Sequence, residues 1–375
     1  MREQPAYRRA AGATRLYRDG VLHLVLPGVD GKVLRVAGTG RRLWDLLEYP
    51  IAIDALASRL AAEYEGPIDS IASSVGRSIE QLAAQGLVDR CDPPDADGLR
   101  RDRYLWLLKR SLVNLIYPEH ELRIELLERT APPADRAEGQ RALRDVSRND
   151  PQSLASLIAD RQDGRLSPHR GYRFSHSMVG LARLDNVERA AERVFADGVA
   201  GDFVEAGAGQ GGVAILLRAL QVAHGQAARR TWVADSFAGG PRAEAPADTD
   251  AGFDFTADHS PWLVWGLSEV RDHFRRYDLL DEGVRFLAGW VSETLATAPI
   301  VAIAVLHVDV DAYESTRAVL HHLYDRVSPG GFVIVDEYYA WPPCRQAVDE
   351  FRRDRGIVEP LQQVDWSACC WQRVR

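Results

Sequence analysis

A chain of 375 residues, 46% hydrophobic and 27% charged, is long enough for two or three domains and reads as soluble and globular rather than disordered. Its formal charge of −8 offers no basic field for nucleic acid or an anionic membrane, and no apolar run approaches a membrane span. The N-terminus lacks the apolar stretch of a signal peptide, and Cys91, Cys344, Cys369 and Cys370 show no metal spacing, so reduced thiols and a cytoplasmic location are expected.

The first elements expected are strands. Thr14–Tyr17 and Val21–Leu26 flank an Arg18-Asp19-Gly20 turn, and an Asp30-Gly31 turn leads into Val33–Val36. Three helices follow. The first spans about Gly40 to Leu47, with Thr39 as N-cap. The second places Ile53, Leu56, Leu60 and Tyr64 on one face, and the third Ile68, Ile71, Val75, Ile79 and Leu82. Gly86 stands at the C-cap position, and Leu87-Val88 adds a short strand. The Pro, Gly and charge of Cys91–Asp102 read as a linker. The polar stretch Ala131–Arg173 reads as a cap with short helices.

Beyond it, strands and helices alternate. The apolar runs Phe203–Ala206, Thr231–Ala234, Val284–Leu287, Ile303–Val308 and Phe332–Val335 are separated by helical stretches such as Val213–His224, Leu267–Tyr277 and Arg317–Arg326. Such runs predict a doubly wound α/β fold, a parallel sheet covered on both faces. Gly356–Val374 reads as an antiparallel pair at the sheet edge. The expected limits are a small α+β domain at 1–90, a linker at 91–102, a helical cap at 103–200 and the α/β core at 201–375.

Two patterns carry chemistry. In Asp202-Phe-Val-Glu-Ala-Gly-Ala-Gly-Gln-Gly-Gly212 a strand runs into a glycine turn and a helix. Gly207 and Gly209 let backbone approach a ligand, and the helix N-terminus suits a carboxylate or phosphate. Glu205 is placed to hold a ligand amino group, and Asp235, ending the next strand, to accept from ribose hydroxyls. Gly207, Gly209 and Gly212 also fit a dinucleotide pattern or a purely structural turn, but a carboxylate at Glu205 favours adenosylmethionine. The second pattern is acidic. Asp309, Asp336 and Glu337 follow apolar runs and can converge on Mg²⁺, which would acidify a substrate hydroxyl for a carboxylate base. Helix capping by Asp311, Ser315 or Asp336 is the competing explanation.

Six ordered stretches resemble the macrocin O-methyltransferase (TylF-like) family: Arg103–Tyr117, Ser175-His-Ser-Met-Val-Gly-Leu-Ala-Arg-Leu-Asp-Asn186, Trp232-Val-Ala-Asp-Ser-Phe237, Arg285–Trp290, Asp309–Thr316 and Ser328–Asp336. The resemblance covers about 103–375 and implies methylation of sugar hydroxyls on natural products with S-adenosylmethionine and Mg²⁺. It implies that Asp309 is metal ligand and base, and that Asp336 and Glu337 complete the metal site. It further implies that Ser177 and Met178 border the cofactor beside Asp235 and Ser236, with Gly289 and Trp290 near its adenine. Val310 stands where the family has Gly, Glu337 where it has a second Asp, and Gly207-Ala-Gly departs from the family's usual turn.

The first 90 residues are similar to the PqqD-like family, through Gly31–Leu47, the Ile53–Tyr64 helix and Ile68–Val88. That resemblance implies a winged-helix element binding a precursor's leader peptide as an added strand near Lys32–Val36, against the Ile68–Gln85 helix, with Arg77 and Gln81 at the rim. A dimer or DNA module is the alternative, and the domain's acids disfavour DNA. The fusion therefore suggests O-methylation of a leader-guided precursor peptide in natural-product biosynthesis. The runner-up is methylation of a sugar on a small-molecule natural product, with the N-terminal domain structural. A non-catalytic peptide chaperone ranks third, and a homodimer is left open.

Overall fold

The computed structural model describes residues 5–10, 13–18, 21–25, 33–129, 151–163, 174–240, 252, 256–258, 260 and 263–374. The expected Asp19-Gly20 and Asp30-Gly31 turns, Lys32, and most of Ala131–Arg173 lie outside these residues. One helix of that stretch, Pro151–Asp163, lies within them. The chain divides into two units, 1–106 and 107–375.

In the first unit, strands β1 (Ala6–Arg9), β5 (Ile51–Ala52) and β6 (Val88–Cys91) form one antiparallel sheet in the order β5-β1-β6. Strands β2 (Thr14–Arg18), β3 (Val21–Val25) and β4 (Val33–Val36) form another, with β4 at an edge. Leu22 and Leu24 of β3 share a core with Trp44, Leu56, Val75, Ile79 and Leu82 of the helices. The periodicity holds in the helix centres and fails at their ends: Ile68 is 53% exposed, and Tyr64 lies past a helix that stops at Glu63. Thr39 is the first residue of its helix (Thr39–Leu46), not the cap; Gly38 precedes it with φ 55°, and no side chain caps that end. Gly86 does close the Ile68–Ala84 helix, with φ 68°, donating to the Ala83 carbonyl while Leu87 N–H reaches back to Leu82.

The stretch read as a linker is mostly regular structure. A helix runs Ala96–Leu112, and Asp95 Oδ1 accepts from Gly98 N–H at 2.7 Å. The Pro-Pro-Asp sequence is helix-start chemistry, which shares its residue types with loops.

The second unit holds a seven-stranded sheet. Its strands are β7 (Asp202–Ala206), β8 (Thr231–Asp235), β9 (Val284–Ala288), β10 (Ile303–Val308), β11 (Val327–Val335), β12 (Gln362–Gln363) and β13 (Cys369–Gln372), in the order β12-β13-β11-β10-β7-β8-β9. The pairs from β11 to β9 are parallel, and β13 runs antiparallel to both neighbours, the expected edge pair. β11 begins earlier than its apolar run, since Ile303 sits opposite Val327 and Val305 opposite Phe332, an irregularity at Ser328–Gly331. Helices Leu181–Ala196 and Gly212–Ala223 pack against one another and the central strands. Val291–Thr297, Tyr313–Leu323 and Pro342–Asp354 share a second core with Val204, Leu306, Val333 and Val335. The order reverses between β7 and β10, so the carboxyl ends of these two strands open a crevice.

Candidate functional site

Three of the four glycines at the turn after β7 show distinct physical reasons. Gly207, at φ 86°, lies so close to the end of β10 that a Cβ would stand 1.9 Å from the Asp309 carbonyl oxygen. A Cβ on Gly212 would meet the His176 carbonyl oxygen at 2.3 Å. Gly209 has space, its nearest neighbour being the Trp265 ring at 3.7 Å, and needs glycine for its φ of 50°.

The two acids assigned to the ligand also hold this turn. Asp235 Oδ2 accepts from the N–H groups of Ala208 at 2.7 Å and Gly209 at 3.2 Å, while Oδ1 accepts from Phe237 N–H at 2.7 Å. Glu205, 1% exposed, accepts from Ala214 N–H at 2.8 Å and so caps the helix Gly212–Ala223. Burial pushes its carboxyl well above the usual range. The sequence assigns both acids to the ligand; the structure adds a backbone partner to each, because strand ends and the next helix start converge here.

Ser177, Met178, Glu205, Gly207 and Gly209 line one cleft, and Asp235, Ser236, Trp290 and Asp309 complete the expected residues on its wall. Ser177 N–H and His176 N–H donate to the Leu112 carbonyl at 3.0 and 2.7 Å, which fixes this segment. His176 stacks on His273 at 4.2 Å and pairs Nδ1 with Tyr277 Oη at 2.8 Å; burial holds its pKa down to about 4. Gly289 is not on this wall; its N–H donates to the Asp235 carbonyl at 2.9 Å. Asp336 and Glu337 are not on this wall either.

At the end of β10, Asp309 N–H extends the ladder to the Ala206 carbonyl at 2.8 Å. Val310 follows, and Asp311 takes a left-handed φ of 56° before the helix Tyr313–Leu323. Asp311 does not cap that helix. Instead, ligand oxygens of Asp309, Asp311 and Glu337 lie within 4.8 Å of one another. Burial first, then the neighbouring acids, raise Asp309 and Asp311 well above the usual range. The Oδ1 of Asp311 is buried without a hydrogen-bond partner. Three converging carboxylates with an orphaned oxygen fit a hard divalent cation.

Asp336 is the exception to the expected trio. It forms a buried ion pair with Arg183 of helix Leu181–Ala196. Burial pushes its carboxyl up, and Arg183 and His307 together outweigh this and hold it below its ordinary value. Asp311 thus stands in the acidic cluster with Asp309 and Glu337, and Asp336, whose Oδ1 is also buried without a partner, stands outside it. Sequence reasoning missed Arg183, Asp365 and Ser367. Arg183 sits inside one of the recognised stretches, whereas nothing in the sequence marks Asp365 or Ser367.

A sheet of this order with a glycine turn after the strand at its reversal is the arrangement of class I methyltransferases. Residues 101–373 match the family described as macrocin-O-methyltransferase (TylF), and 23–88 match coenzyme PQQ synthesis protein D (PqqD). The chain is 41% identical over 275 residues to an 8-demethyl-8-(2,3-dimethoxy-alpha-L-rhamnosyl)-tetracenomycin-C 4'-O-methyltransferase of Streptomyces olivaceus, covering 72% of this chain and 93% of the relative. It is 47% identical over 203 residues to the demethyldecarbamoylnovobiocin O-methyltransferase of Streptomyces niveus, covering 54% and 77%. The solved structure of the O-methyltransferase NovP matches with a TM-score of 0.59 at 37% identity, covering 73% of this chain and all of NovP. The chain belongs to the macrocin O-methyltransferase family and is an S-adenosylmethionine-dependent O-methyltransferase.

Proposed function

We propose that this enzyme methylates a hydroxyl of a sugar carried by a small-molecule natural product. The observation that carries the reading is the contact between the two halves of the site: the glycine turn touches the acidic loop at Gly207 and Asp309. A donor bound over the turn thus lies beside the acids. Two relatives are named for a numbered oxygen of a natural product, 4'-O of a rhamnosyl-tetracenomycin and 3''-O of mycinamicin III, and the sugar in the first name supports a sugar acceptor.

Within this proposal the N–H groups of Gly212 and Val213, at the start of helix Gly212–Ala223, face the donor's carboxylate, Ala214 N–H being held by Glu205. Asp235 and Ser236 take its ribose hydroxyls and Trp290 covers its adenine. Asp309, Asp311 and Glu337 would hold Mg²⁺, which supplies acidification of a bound hydroxyl. Asp309 receives the hydroxyl proton, the oxygen takes the methyl from the sulfonium sulfur, and an ether and a thioether result. No helix among the described residues is long and apolar enough to cross a membrane.

The second reading, a leader-guided precursor peptide, rests on the PqqD match, on the edge position of β4 and on the exposure of Arg77 and Gln81 on helix Ile68–Ala84. Incubating the full chain with S-adenosylmethionine, Mg²⁺, and panels of glycosides and candidate precursors separates them. Magnetic resonance of the product should place the new methyl on a sugar oxygen; a methylated peptide with every glycoside untouched would reverse the ranking.

A further inference from the structure

The acids at the cleft are sorted by residues that do not line it. Arg183 Nε donates to Asp365 Oδ2 at 2.9 Å, its Nη1 pairs with Asp336, and the same nitrogen stands 3.5 Å from Glu337 Oε1. Arg183 is 2% exposed, Asp365 3% and Asp336 1%. One guanidinium therefore ties the end of β11 to the turn between β12 and β13. That turn is rigid: Asp365 Oδ1 accepts from the N–H groups of Ser367 and Ala368, both at 2.8 Å.

Ser367, fully buried, sits at the tip. Its hydroxyl oxygen is 2.8 Å from both Glu337 Oε2 and the Asp336 carbonyl oxygen. A hydroxyl has one proton to give, and an ionised carboxylate is the stronger acceptor, so Ser367 donates to Glu337 when that acid is charged. Glu337 has three side-chain torsions to fix before its carboxylate can hold one place. Arg183 and Ser367 fix it from opposite oxygens.

We propose that the Asp365–Ser367 turn, clamped by Arg183, is a positioning device that holds the Glu337 carboxylate toward Asp309 and Asp311 while Arg183 withdraws Asp336 into an internal ion pair. The proposal rests on the reading of Asp309, Asp311 and Glu337 as the cation site. Outer partners of metal ligands are worth about 10–100-fold in affinity. Mn²⁺ titrated into the full chain and followed by electron paramagnetic resonance tests it. Ser367→Ala and Asp365→Asn should each weaken Mn²⁺ binding by about tenfold or more, with adenosylhomocysteine affinity unchanged as evidence of an intact fold. The Mg²⁺ activation constant should rise in step, while the KM for the methyl donor stays constant. Wild-type affinity for Mn²⁺ in both variants overturns the positioning role alone. Failure of the unsubstituted chain to bind Mn²⁺ overturns the cation site and the proposal together.

Discussion

At the scale of single residues, two aspartates that look alike in sequence have opposite roles. Asp311 contributes an orphaned oxygen to a repulsive cluster, whereas Asp336 neutralises a buried arginine. Asp311→Asn should relieve repulsion and raise the denaturation midpoint of the metal-free protein. It should also cost Mn²⁺ affinity at least the roughly 10–100-fold that outer partners are worth. Asp336→Asn should instead destabilise the fold by about 3–5 kcal/mol, because it leaves a buried guanidinium undercompensated. Denaturant titration of both metal-free variants gives the two signs. His176 supplies a pH signature away from the acids. Its folded pKa is depressed from 6.5 to about 4. Across that window the unfolded chain binds a proton that the folded chain refuses, so stability is complete above the window and falls as pH falls through it. His176→Gln should flatten this part of the stability profile; an unchanged slope between wild type and variant would contradict the assignment.

At the scale of elements, the glycine turn separates folding from binding. Gly207 is required by the Asp309 backbone, so Gly207→Ala should impair folding before it can report on a ligand. Gly209→Ala meets no close neighbour and carries only the left-handed penalty, roughly 1–2 kcal/mol. A folded Gly209→Ala protein with weakened adenosylhomocysteine binding by calorimetry is the expected result. The parallel strands β7, β8, β10 and β11 were readable because burial on both faces gives them near-continuous apolar runs, β9, an edge strand with Arg285 exposed, from its remaining apolar residues, and Gly86 because its position after an amphipathic helix has one common use. β1 was not: Ala6-Tyr-Arg-Arg9 is half polar, and its partners are at Ile51–Ala52 and Val88–Cys91, far along the chain. The helix from Ala96 was mistaken for a linker because caps and loops draw on the same residues. Asp202–Gly212 and Asp309 were legible as motifs, since each joins a strand to a helix locally. The Arg183–Asp365 link spans 182 positions, and no local pattern encodes such a partner.

At the scale of the whole molecule, every described residue lining the cleft belongs to the 107–375 unit. Arg77→Glu, on the exposed side of helix Ile68–Ala84, should therefore leave the rate of glycoside methylation at the wild-type value in a steady-state assay. A rate that falls with that substitution would tie the PqqD-like unit to the reaction. The central claim is that a donor-binding turn and a cation-holding acidic cluster act on one acceptor in one cleft. Its most direct test is transfer of labelled methyl from S-adenosylmethionine to a glycoside acceptor by the full chain, before and after exhaustive chelation. Chelation should abolish transfer and added Mg²⁺ should restore it, with adenosylhomocysteine binding intact throughout; an undiminished rate in the chelated enzyme would contradict the account.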